Sequence, residues 1–107
     1  MREYIYSTDE IRAILNPVFN RHNVNKAVLF GSYAKGTAEP GSDIDIFVDS
    51  GLKGLRFYGL LEDVVNALDK DVDLLDSSQV VPLSEVANEI SKSGVIIYAQ
   101  QGLCSEE

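Results

Sequence analysis

The stretch LFGSYAKGTAEPGSDIDIFV, Leu29 to Val48, decides how this chain folds. It opens inside a short apolar run, Lys26 to Phe30, that halts at Gly31, the pattern of a buried strand ended by a breaker. From Gly31 to Ser42 the breakers Gly36, Pro40, Gly41 and Ser42 predict a loop, with one helical turn around Tyr33 to Lys35. Asp43 to Asp49 then alternates, which predicts a second strand. Period two sends Asp43 and Asp45 to one face and Ile44 and Ile46 to the other.

Outward from this segment, helices and strands interleave. Before it, Ser7 and Glu10 have capping-box spacing, and Tyr6 and Ile11 are placed for a hydrophobic staple. Ile11, Ile14, Leu15, Val18 and Phe19 continue as a helical stripe to about His22, with Pro17 expected to kink or shorten that helix. His22, at its end, reads as a helix-terminal residue rather than a catalytic one. After it, Ser50 to Gly54 is a second glycine-bearing loop. Phe57, Leu60, Leu61, Val64, Val65 and Leu68 form the cleanest amphipathic stripe in the chain. Asp71 to Leu75 predicts a third strand. Pro82 suits a helix first turn, Leu83, Val86, Ala87 and Ile90 continue a stripe to Gly94, and Val95 to Tyr98 predicts a last strand. The order implies an α/β (α+β) domain over residues 1–99. Its small mixed sheet would have about four strands, with helices mainly on one face and the Asp43/Asp45 face open. Residues 100–107 form a polar tail in which Cys104 is read as inert.

Composition narrows the function. Nine basic against 17 acidic residues leave a net charge of −8. Such a chain lacks the positive field that attracts nucleic-acid backbones, so no direct nucleic-acid partner is expected. A single cysteine and a single histidine exclude a disulfide framework and a Cys- or His-rich metal site. Charges fall where a signal peptide would be apolar, and no apolar run is long enough to span a bilayer. A cytoplasmic location and no membrane partner are the expectation.

The chemistry concentrates where the loop meets the second strand. Asp43 and Asp45 would project side by side, about 6–7 Å apart along the backbone. Like charges that close raise each other's pKa, and a divalent cation resolves the conflict. Hard oxygen donors without imidazole or thiolate suit Mg²⁺ or Mn²⁺, whose shell is completed by water and substrate phosphate. A third carboxylate on a neighbouring strand would complete a two-metal site. Asp73 faces outward between Val72 and Leu74, and Asp71 shares its face. Gly31 lets backbone N–H groups approach an anion and Ser32 adds a hydroxyl donor. Lys35 and a short helix start near Ser32 could add to a phosphate cradle. Tyr33 reads as loop packing, and Ser42 and Asp49 as turn and strand-end residues.

Gly31-Ser32, ten residues, then Asp43-Ile44-Asp45 resembles the signature of the minimal nucleotidyltransferases, a branch of the DNA polymerase β superfamily. The resemblance runs through Leu29 to Val48 and extends to Gly51–Leu68 and to Val72–Leu75, the counterpart of the family's third-aspartate strand. Lys35 departs from it, standing where many members carry Arg, which keeps the charge but loses a bidentate fork. The resemblance implies a nucleotidyltransferase fold and transfer of a nucleoside monophosphate, AMP from ATP foremost, to an acceptor hydroxyl. It further implies that Asp43 and Asp45 hold two Mg²⁺ ions and that Asp73 holds the nucleophile-side one. Gly31 and Ser32, with Lys35, would bind phosphates. Minimal members resemble the antitoxin of toxin–antitoxin pairs whose partner is a helical HEPN-domain ribonuclease, and some place AMP on a tyrosine of that partner. Two other readings stand beside this one: a module that neutralises its partner by binding alone, and a small-molecule nucleotidyltransferase acting, for example, on an antibiotic.

Overall fold

The structure is a computed structural model that describes residues 5–39, 41–77 and 84–99. The expected polar tail with Cys104, and Pro82 and Leu83 of the expected fourth helix, lie outside the described residues, as does the Val86 side chain.

Helix α1, Thr8–Arg21, starts at the capping box read from sequence. Ser7 Oγ accepts from the Glu10 N–H at 3.1 Å, and Glu10 Oε1 accepts from the Ser7 N–H at 2.8 Å. The helix does not stop at Pro17 but continues to Arg21. Pro17 lies on the exposed side, so the Ala13 carbonyl that loses its partner can turn to water. On the other side Leu15, Val18 and Phe19 are anchored in the core on both flanks of the proline.

Strand β1, Lys26–Phe30, leads into a single helical turn, α2, Ser32–Lys35, as the breaker pattern implied. Strand β2, Ile44–Asp49, follows, then helix α3, Leu55–Leu68, and strand β3, Val72–Asp76. Helix α4, Glu85–Ser93, begins later than Pro82 suggested, because Ser84 is its N-cap and accepts from the Ala87 N–H at 3.2 Å. Strand β4, Val95–Ala99, closes the described chain.

The four strands form one mixed sheet in the order β3-β2-β1-β4. β1 is antiparallel to β2 and to β4, with a bulge between Ala27 and Val28 on the β4 side. β2 and β3 are parallel and joined by the α3 crossover, as a parallel pair requires. α1 and α3 pack on one face over Leu29, Ile44, Ile46, Val48 and Leu74, and this layer is the core. Tyr33 of α2 is buried in it, which agrees with its reading as loop packing.

The opposite face is less open than expected. Val28 and Phe30 point there and are 5% and 7% exposed, because α4 lies against β1. A Cβ on Gly94 would collide with the Ile90 carbonyl and the Val28 side chain, so this glycine lets the end of α4 close down onto β1. The carboxylate face is thus walled on one side.

Candidate active site

The site is assembled by register. Phe30 of β1 pairs with Asp45 of β2, and Asp45 pairs with Asp73 of β3, so one row across the sheet ends in two adjoining carboxylates. Asp45 is half-buried and Asp73 is exposed. Asp43 sits one residue ahead of β2, exposed at its entrance. Asp71 precedes β3, and its carbonyl accepts from the Ile44 N–H, so Asp73 is the acid brought level with Asp45. Asp76, three residues beyond Asp73 and so on the opposite strand face, is buried and accepts from Ser50 Oγ at 2.6 Å, which removes it from the site.

Gly31 follows Phe30 directly and so lies against Asp45. Its φ of +76° belongs to a region that side chains rarely adopt, and a Cβ there would run into the Asp45 carboxylate oxygen. Both conditions require glycine. The Gly31 carbonyl accepts from the N–H groups of Ala34 and Lys35, each at 3.1 Å, which winds α2 beside the acids. Ser32 is the first residue of that turn.

The carboxyl of Asp45 is pushed up to about 6, first by burial, then by the charges of Asp73, Asp43 and Glu89, with a hydrogen bond to Asp73 favouring its protonated form. A cation placed between these acids would supply the neutralisation that protonation of Asp45 otherwise provides. Among the described residues, no group of three or more His, Cys, Asp or Glu is already gathered as an ion-binding cluster. The donor set nevertheless fits a hard divalent ion. Mg²⁺ characteristically takes one or two carboxylates and completes its octahedron with water and substrate phosphate. Asp45 and Asp73 supply the pair, and Asp43 stands next to it along the chain.

A cleft of about 230 Å³ opens at this point, lined by Phe30, Gly31, Asp45, Glu85 and Glu89. Sequence reasoning missed the two glutamates. Their spacing puts both on one face of α4, but nothing in the sequence tells which part of the sheet that face meets. Lys35 is placed near the acids but not free: its Nζ lies 2.7 Å from Glu89 Oε2. His22 is remote from the cleft, with Nε2 2.7 Å from Asp63 Oδ2 of α3, and this contact holds the Asp63 carboxyl below its usual range.

The chain matches the polymerase β nucleotidyltransferase family over residues 13–102. It is 35% identical over 77 residues to a protein of Methanocaldococcus jannaschii described as a candidate protein adenylyltransferase, a match spanning 70% of this chain and 83% of that one. It is 46% identical over 50 residues to the protein adenylyltransferase MntA of Shewanella oneidensis, spanning 45% of this chain but only 36% of that relative. Among solved structures it resembles a toxin–antitoxin crystallised with AMP-PNP, at a TM-score of 0.71 and 26% identity over 85% of this chain and 75% of the other. In fold it also resembles the complex of an AMPylated Shewanella oneidensis HEPN toxin with its MNT antitoxin, at a TM-score of 0.66 and 22% identity, covering 91% and 76%.

Proposed function

The chain belongs to the polymerase β nucleotidyltransferase family, and on that footing we propose that it is an antitoxin that moves AMP from ATP to a tyrosine hydroxyl of a HEPN-type ribonuclease, working in the cytoplasm. The observation that carries this reading is the juxtaposition of Gly31, Asp45 and Asp73: a glycine that admits no Cβ, against a half-buried carboxylate, which is in register with a second acid. The resemblance to protein adenylyltransferases supports AMP as the group moved and a protein as the acceptor. The toxin–antitoxin likenesses support the kind of partner.

Asp43, Asp45 and Asp73 would hold two Mg²⁺ ions, which when bound neutralise charge on the phosphates. The Gly31 backbone and the Ser32 hydroxyl bind the β- and γ-phosphates, with Lys35 as a neighbouring point charge. The tyrosine oxygen attacks the α-phosphorus, the bond to the β-phosphate oxygen breaks, and pyrophosphate departs. Asp73, exposed at the open side of the row, takes the phenolic proton. Nearly all of this is positioning and charge stabilisation, which suits a domain that offers a row of acids beside a glycine-led turn.

Incubating the protein with Mg²⁺, labelled ATP and the product of the adjacent gene should label that product on tyrosine, and Asp43→Ala should abolish the label. No transfer from any nucleoside triphosphate, with the variant and the parent alike, would overturn the proposal. An Asp45→Ala variant that still protects cells from the partner would transfer the antitoxin role to binding alone.

A further inference from the structure

Glu89 lines the cleft beside Asp45, yet its carboxylate is turned to Lys35. The pair joins α2, the turn that follows Gly31, to α4, the wall of the cleft. Lys35 is about half exposed and Glu89 about one-third, so neither side chain is fixed by packing. Their contact, an ammonium held at 2.7 Å by a carboxylate oxygen, is the geometry that a phosphate oxygen would offer the same lysine. A triphosphate entering between them meets one attractive and one repulsive charge. It gains most by drawing the ammonium away from the carboxylate.

We infer that Glu89 is a positioning residue that holds Lys35 in reserve, the Lys35–Glu89 pair being a latch between α2 and α4 that the polyphosphate of an incoming nucleotide opens. The inference rests on the phosphate-binding role proposed above for Lys35. When pyrophosphate leaves, the carboxylate recaptures the lysine, so the latch taxes substrate and product alike. An ion pair this exposed is weak, and the tax corresponds to about two- to five-fold in affinity.

Binding of ATP in the presence of Mg²⁺, measured by titration calorimetry on the full chain, tests the latch with Glu89→Gln, Lys35→Met and the double variant. Glu89→Gln should tighten ATP about two- to five-fold, and the gain should shrink as salt is raised. Lys35→Met should weaken ATP, and adding Glu89→Gln to it should restore nothing. A gain from Glu89→Gln that persists in the Lys35→Met background overturns the latch, because the glutamate then acts on ATP directly. Weaker ATP binding by Glu89→Gln, together with a lowered melting temperature, overturns it in favour of a structural brace. ATP affinity indifferent to Lys35→Met overturns the underlying role of Lys35, a failure distinct from the other two.

Discussion

At the residue scale, the structure turns on how little room separates Gly31 from Asp45. Gly31→Ala asks for a side chain in a backbone region that resists one and pushes it against a carboxylate oxygen. The expected outcome is loss of most transferase activity, with stability lowered by about 1–3 kcal/mol, read by nucleotide transfer and by denaturant melts. Asp45 makes the opposite kind of statement, about charge. Its folded pKa, about 6, lies above its ordinary value of 3.8, so the folded protein binds the proton more tightly than the unfolded chain. Stability contributed by this group is therefore present at low pH and is lost as pH rises through about 6. In the metal-free protein, Asp45→Asn should remove that fall and gain stability at pH 7, on the order of 1 kcal/mol once solvent screening of a half-exposed group is allowed for. Melting temperatures of both proteins across pH 4 to about 8, in chelator, would check the sign. Added Mg²⁺ should flatten the parent's curve by holding the carboxylate ionised.

At the element scale, α1 is held by packing against its own local preference. Proline in a helix interior costs about 3 kcal/mol relative to alanine, and here it is tolerated because the helix is anchored on both sides of it. Pro17→Ala should accordingly stabilise the fold by about 1–3 kcal/mol without touching transfer, a result that thermal melts and the labelling assay would show together. The same competition explains which elements were legible in the sequence. β1, α2 and α3 follow from periodicity and breakers alone, because nothing in their surroundings contradicts local preference. α1 was legible to its end at about His22, and only the expected shortening at Pro17 failed, because the helix is anchored on both sides of it. The start of α4 at Ser84 did not follow, since a serine cap outweighed a nearby proline as the start signal. Of the site, Asp43, Asp45 and the Gly31–Ser32 turn were readable because strand parity and a glycine are local facts. Asp73 was singled out from Asp71 mainly by family likeness, and the register across β2 and β3 distinguishes them physically. Glu85 and Glu89 were unreadable because the docking of one helix over one strand is written in no short stretch of sequence.

For the whole molecule, the net charge of −8 now divides. Asp43, Asp45 and Asp73, with Glu85 and Glu89, crowd one end of the sheet. Among the other described acids, Asp9, Glu39, Asp49, Glu62, Asp69 and Asp71 are exposed, a surface suited to a basic partner. Association with such a partner should slow as salt rises while dissociation changes little, the signature of electrostatic steering, measurable by stopped-flow mixing. The sheet order has one more consequence. β3, which carries Asp73, hydrogen-bonds within the described sheet to β2 alone, whereas β2 is flanked on both sides. The two carboxylates therefore sit on strands of unequal kinetic protection, and a breathing motion that frays β3 takes the site apart while most of the domain stays folded. Amide hydrogens of β3 should exchange with deuterium faster than those of β1, and ATP with Mg²⁺ should slow them selectively. In that sense a bound nucleotide would splint the margin of the sheet, and with Asp73 in the proposed role, catalytic competence would last only as long as a peripheral ribbon of five residues, Val72–Asp76, keeps its place.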